Sequence, residues 1–206
     1  MTNTANSIVF SSSSVETMKN ITISDHPVVN ELISILRDLS LKPSQVRSVV
    51  DEISRFLAYE STKCLDVSSV SVIPVLRSGM SMMSAFSKVL PDVPIYHIGI
   101  FREKSSLQPI EYYNKLPKHS TEVAIVLDPV MATGGTAQAV ITTLQEWGCK
   151  HIVFVSVLAS AQAVARFNDT PNVEFVFGAI DKSLDDKGYL VPGIGDIGDR
   201  LYGATA

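Results

Sequence analysis

Two kinds of apolar pattern divide this chain. After Pro27, apolar residues fall at Val28, Leu32, Ile35, Leu36 and Leu39, the three-to-four spacing of one helical face. A helix should start near Asp25 or His26, because Pro27 in the first turn has no N–H to leave unpaired and already holds a helical φ. After Pro43 the pattern returns, with Val46, Val49, Val50, Ile53 and Leu57 expected to face inward. This helix pair reads as scaffold or as a dimer surface. From Val70 onward short apolar runs predict strands at 70–75, 94–101, 123–127, 151–157 and 173–177, with helices over 79–89, 134–147 and 160–168. The first of these strands is short and apolar, as a strand covered on both faces should be. Repeated strand–helix–strand units predict an α/β fold: a parallel sheet flanked by helices, joined by right-handed crossovers. Residues 1–24, rich in Ser, Thr and Asn, read as a disordered tail, which leaves 25–206 as the domain. The last 28 residues lose periodicity and contain five Gly and a Pro.

Composition narrows the function. At 206 residues, 46% of them hydrophobic, the chain can bury one substantial core. A net charge of −4 argues against a nucleic-acid partner. No apolar run approaches a membrane span. The N-terminus lacks the basic start and apolar core of a secretory signal, and Met1 to Thr17 holds no Lys or Arg, as an organelle transit peptide would. Cys64 and Cys149 have no metal-ligand spacing and read as reduced thiols of a cytosolic protein. The four His share no spacing either.

The chemistry concentrates between Ala124 and Thr136. An apolar strand, Ala124 to Leu127, ends in Asp128; a turn of small residues follows, and then a helix. Thr133 and Thr136 offer hydroxyls, while Gly134 and Gly135 let backbone N–H groups approach an anion. The helix beyond adds donors and the positive end of its dipole. Asp128, at the carboxyl end of the strand, is placed to accept from the hydroxyls of a sugar that carries the phosphate. A ribose 5-phosphate group fits that pair of features. Ligands of such sheets bind beyond the carboxyl ends of the strands, and Arg77 and Arg102 also follow predicted strands.

These residues resemble the fingerprint of the phosphoribosyltransferases: strand, acid, then A-T-G-G-T. Most members carry two adjacent acids. Here Pro129 takes the second place, and D-P-x-x-A-T-G-G is similar to the uracil phosphoribosyltransferase version. Three more blocks agree in family order: Val72 to Gly79, Arg102 through Glu111 to Pro117, and Gly188 to Arg200. The resemblance implies a type I phosphoribosyltransferase fold with a C-terminal hood over about 178–206. It implies pyrimidine salvage, in which uracil and 5-phosphoribosyl 1-diphosphate (PRPP) give UMP and diphosphate.

It also implies roles. Arg77 and Arg102 would meet the diphosphate, Arg102 from a flap and Arg77 in a loop that in the family often has unusual peptide geometry after the Arg. Asp128, Pro129, Val130, Met131, Ala132, Thr133, Gly134, Gly135 and Thr136 would hold the phosphoribosyl donor, with Asp196 as a further contact. Tyr189 would lie along the ribose 5-phosphate. Leu190, Gly195, Asp196 and Ile197 would read uracil, mainly through backbone groups. Lys115 would add positive charge near the polyphosphate. Mg2+ is the implied cofactor, held mainly by substrate and water. A homodimer, GTP as an effector and a cytoplasmic location, with the nucleus open as well, complete the expectation.

Three departures stand out. The flap reads Ser105-Ser106-Leu107-Gln108-Pro109-Ile110 where the family usually has an acid. Ile197 replaces the usual Ala or aromatic. Between Tyr59-Glu60-Ser61-Thr62 and Pro74 there is only a short link where the family has a hairpin arm that clasps the partner, so the dimer should be weakened. The departures keep two alternatives open: a catalytically weak regulatory paralogue, and an RNA-binding pyrimidine regulator on the same fold.

Overall fold

The computed structural model describes residues 20–102 and 109–204. Its strands are β1 (Ile21–Ile23), β2 (Val70–Leu76), β3 (Ile98–Arg102), β4 (Pro109–Asn114), β5 (Val123–Leu127), β6 (Val130–Met131), β7 (His151–Ser160), β8 (Val173–Asp181), β9 (Ser183–Leu184) and β10 (Leu190–Val191). Its helices are α1 (Pro27–Leu36), α2 (Pro43–Thr62), α3 (Met83–Val89), α4 (Gly135–Trp147), α5 (Ala161–Arg166) and α6 (Ile197–Tyr202). The main sheet runs β1-β8-β7-β5-β2-β3-β4, with β6 paired to β7. All of its pairings are parallel except that of β4, which runs antiparallel to β3 at the edge. The β9–β10 pair forms a small antiparallel sheet in the C-terminal hood.

Both faces of the sheet are covered, which is why its central strands are buried along nearly their whole length. One face packs Val72, Ile125, Val153 and Val155 under α1, α2, α3 and α6. The other packs Ile73, Val126, Phe154 and Phe175 under α4 and α5. Leu190, Ile194, Ile197 and Leu201 of the hood join the first of these cores.

The helix expected over 79–89 begins as a 3₁₀ turn, Ser78–Met82, before α3. Two other expectations change. The proposed tail, 1–24, ends too late, because Ile21–Ile23 pairs in parallel with Phe175–Phe177 of β8. A three-residue edge strand is too short to show a period, and its stability comes from the neighbouring strand. Residues 1–19 of that tail lie outside the described residues. In α1 the buried face is Val29, Ile33 and Leu36, whereas Val28, Ile35 and Leu39 are exposed. Apolar residues surround much of this helix, so spacing alone cannot choose the face; packing against β8 and α2 does. In α2, Val46, Val50, Ile53 and Leu57 are buried and Val49 packs against them, as expected.

Candidate active site

The carboxyl ends of β5, β2 and β3 lie side by side, since these strands are neighbours in the sheet. Asp128 follows the first, Arg77 follows the second, and Arg102 closes the third. The topology therefore brings these three positions to one edge. The Arg102 side chain and residues 103–108, which include the altered flap, lie outside the described residues.

Asp128 and Pro129 interrupt the strand between β5 and β6. The long β7 spans this gap: Val155 O accepts from Asp128 N–H at 3.2 Å, and Leu158 N–H donates to Pro129 O at 3.1 Å. Proline has no N–H to offer, and the break in the ladder asks for none. Asp128 is only 8% exposed. Ser78 Oγ donates to its Oδ1 at 3.2 Å. Burial pushes the Asp128 pKa up to about 7, against the opposing pull of the hydrogen bonds from Ser78 and from the Val130 N–H. A carboxylate kept this dry and held by few donors is poised to take hydrogen bonds from a ligand.

Gly79 makes the Ser78 contact possible. A Cβ there would collide with the Leu127 carbonyl oxygen and approach the Pro74 carbonyl carbon at 3.2 Å. Only glycine lets the turn after β2 lie flat against the end of β5. The Leu76–Arg77 peptide is cis; the unusual peptide bond thus precedes the arginine rather than following it. Arg77 is exposed, its guanidinium carbon 5.9 Å from the centre of the Tyr202 ring.

After Asp128 the chain forms the small-residue turn. Asp128, Val130, Met131, Ala132, Thr133, Gly134, Gly135, Thr136 and Ala137 line one cavity of about 80 Å³ at the start of α4. Gly134 holds φ +78°, and a side chain there would also meet Phe167 at 2.8 Å. Thr133 Oγ1 accepts from Gly135 N–H at 3.4 Å. Ser160 braces the turn from below: its hydroxyl donates to Ala132 O at 2.5 Å and accepts from Ala163 N–H at 2.9 Å.

The hood supplies the remaining candidates. Leu190 and Ile197 bury their side chains in the core, so their backbone is the part that can serve a ligand. Asp196 caps α6, its Oδ1 accepting from Asp199 N–H at 3.0 Å, while its Oδ2 accepts from Tyr189 Oη at 3.4 Å. Gly195 is exposed at φ +69° and faces Leu39. Three arginines fasten this segment. Arg37 pairs with Asp181 and donates to Gly193 O; Arg47 donates to Leu201 O; Arg200 donates to Leu36 O, Ile194 O and Asp38 O. Asp181 also accepts from Gly193 N–H at 2.9 Å. Sequence reasoning missed these anchors and Ser78, Ser160 and Tyr202. Arg200 lies in one of the family blocks, but no local signal marks its distant targets, the carbonyls of Leu36 and Asp38 at and beyond the end of α1.

A family model described as uracil phosphoribosyltransferase matches residues 61–204, most of the domain. The chain belongs to the uracil phosphoribosyltransferase family. A Schizosaccharomyces pombe protein provisionally named uracil phosphoribosyltransferase urg2 is 83% identical over 192 residues, covering 93% of this chain and 94% of its own. The uracil phosphoribosyltransferase of Roseiflexus castenholzii is 36% identical, covering 90% of this chain and 99% of its own. Among solved structures, the AQ2163 protein of Aquifex aeolicus superposes with a TM-score of 0.85 at 27% identity, covering 90% of this chain and 99% of that one. Between α2 and β2, where the resemblance led to the expectation of a shortened or missing hairpin arm, the chain makes only a short 3₁₀ turn, Val67–Ser69.

Proposed function

We propose that the chain transfers the phosphoribosyl group of PRPP to uracil, releasing diphosphate and forming UMP. The observation that carries this reading is the shared cavity of Asp128 and the Ala132–Thr136 turn, an anion cradle with a carboxylate at its rim. The turn would hold the 5-phosphate, and Asp128 would accept from the ribose hydroxyls. Uracil N1 would bond to C1 as the C1–O bond to diphosphate breaks, and the N1 proton would leave with solvent. As that bond loosens, C1 becomes electron-poor, and the nearby negative charge of Asp128 favours it. Arg77 and Arg102 would take the negative charge that develops on the leaving group, a task suited to a permanently charged fork of donors.

Among the described residues no group of three His, Cys, Asp or Glu could hold a metal ion. Mg2+ would arrive on the diphosphate, with Asp128 as the nearby carboxylate. When bound, the ion would neutralise the leaving group.

The base would sit under the hood, read by the backbone of Leu190 and of Gly195 to Ile197, with Tyr189 along the ribose. A cytoplasmic location and GTP as an effector belong to the same reading; addition of GTP to the assay below tests the latter. Among the described residues no helix is long and apolar enough to cross a membrane. Exposed Val28, Ile35, Leu39 and Tyr59 on and beside α1 and α2 offer a surface for a second copy.

The test is a steady-state assay with uracil, PRPP and Mg2+. UMP formation is expected, together with a rise in the PRPP KM of the Arg77→Ala and Arg102→Ala variants that exceeds any rise in the uracil KM. Loss of no activity in Asp128→Asn, or turnover of hypoxanthine at a comparable rate, would overturn the reading.

A further inference from the structure

The hood and the loop after β2 are joined at one place that the proposed chemistry leaves unused. The Tyr202 hydroxyl, on the last residue of α6, donates to the Arg77 carbonyl oxygen at 2.7 Å. The same ring lies 5.9 Å below the Arg77 guanidinium carbon, within reach of a cation–π contact. Tyr202 is 43% exposed, and its phenol, which partial burial pushes up from an ordinary value already well above neutrality, is a donor through the neutral range.

The surrounding contacts make this a defined strut. At its other end α6 is capped by Asp196, which also accepts from Tyr189. Six residues of helix span roughly 9 Å, so α6 reaches from the ribose and base side of the site to the loop of Arg77. The helix does not depend on Tyr202 for its own place. Arg200 ties it to the end of α1, and Arg47 holds the Leu201 carbonyl.

We propose that Tyr202 is a positioning residue for Arg77: its hydroxyl fixes the backbone of the loop and its ring seats the guanidinium, so a hood residue governs binding of the phosphoribosyl donor. This rests on the reading that Arg77 faces the diphosphate. The hydroxyl acts on the main chain next to Gly79 and Ser78, and so on the same turn that reaches Asp128. The ring acts on the charge itself.

Tyr202→Phe removes the hydroxyl and leaves the ring. Its PRPP KM is expected to rise roughly three- to tenfold, the worth of one net hydrogen bond, while kcat and the uracil KM stay within about twofold of the parent, a margin small against a one-bond effect. Tyr202→Leu, which also removes the ring, should raise the PRPP KM further. In an Arg77→Ala background, where the guanidinium is gone but the main-chain carbonyl remains, Tyr202→Phe should add clearly less than it does in the parent. An unchanged PRPP KM in Tyr202→Phe overturns the proposal. So does a rise that persists in full in the Arg77→Ala background, or one matched by the uracil KM, either of which would mean displacement of the hood. If Arg77→Ala alone leaves the PRPP KM unchanged, the assignment of Arg77 to the diphosphate falls as well. If Arg77→Ala raises it and Tyr202→Phe does not, only the proposal falls. Thermal unfolding of each variant checks that the fold is retained.

Discussion

Arg37 holds Asp181 fork to fork, its two terminal nitrogens 3.1 and 2.7 Å from the two carboxylate oxygens. The Asp181 side chain is only 3% exposed. The pair also grips the turn of the hood: Arg37 donates to Gly193 O, and Gly193 N–H donates to Asp181. Gly193 is itself confined, since a Cβ would collide with the Leu190 carbonyl oxygen. One ion pair thus helps to set the path of the hood after β8. Arg37→Ala would strand a buried carboxylate, at a cost of about 3–5 kcal/mol by the rule for broken buried pairs. It is expected to lower Tm and to raise the uracil KM more than the PRPP KM. Denaturant unfolding and the two KM values check this. A variant with lost stability but an unmoved uracil KM would show that the turn keeps its path without the pair.

Asp128 should oppose stability while serving activity. Its folded pKa is about 7, raised from 3.8 by burial. The folded state therefore binds more protons than the unfolded state between those two values. Stability then falls as pH rises from about 4 to about 7 and levels beyond, a total of roughly 4 kcal/mol at about 1.4 kcal/mol per pH unit. Asp128→Asn should be more stable than the parent at pH 8, and the gain should disappear below pH 4. The same variant should lose roughly 2–4 kcal/mol of transition-state stabilisation. In the parent, kcat/KM for PRPP should rise with pH through a midpoint near 7 as the carboxylate forms, and that limb should vanish in the variant. Unfolding at several pH values and a pH–rate profile measure both halves. A variant less stable than the parent at pH 8 would contradict the first.

What the sequence made legible follows from the range of each signal. The β2, β5, β7 and β8 runs are continuous and apolar because both sheet faces are covered, so their cores and order of type could be read locally. The Asp128–Thr136 turn was legible because acid, small residues and helix start are contiguous. The edge strand Ile21–Ile23 was not, because its pairing is with β8, far along the chain. The exposed face of α1 was misread because its composition offers two apolar faces and only the sheet decides between them. Arg37, Arg200 and Tyr202 act on carbonyls or carboxylates more than a hundred residues away. No spacing rule reports such contacts.

Gly79→Ala tests the close approach of the two strand ends. The added methyl would overlap the Leu127 carbonyl oxygen, so the turn must move away from β5 and carry Ser78 off Asp128. Overpacking of this kind costs about 1–3 kcal/mol. A drop in Tm together with a fall in kcat/KM for PRPP is expected. Ser78→Ala removes the hydrogen bond without the clash, so it should leave Tm nearer the parent. Full activity in Gly79→Ala would mean that the Ser78–Asp128 contact is dispensable.

The short α2–β2 link bears on assembly. The candidate site residues Asp128, the 130–136 turn, Arg77, Tyr189 and Asp196 lie on elements packed against the two faces of one sheet. No hairpin leaves the fold between Thr62 and Val70 to reach a second copy. The exposed apolar residues on and beside α1 and α2, among them Leu39 at 68% and Tyr59 at 63%, offer one surface for a partner. A dimer held by such a surface alone should be looser than one clasped by an arm. Sedimentation over a dilution series is expected to show dissociation, with activity per chain nearly constant across the same series. Leu39→Glu should shift the dissociation to higher concentration, because it places a charge in the contact. If specific activity collapses as the dimer dissociates, the site needs its partner, and residues beyond those of one chain complete it. If the chain stays dimeric throughout, the helical surface alone is sufficient and the arm was never the main source of the interface.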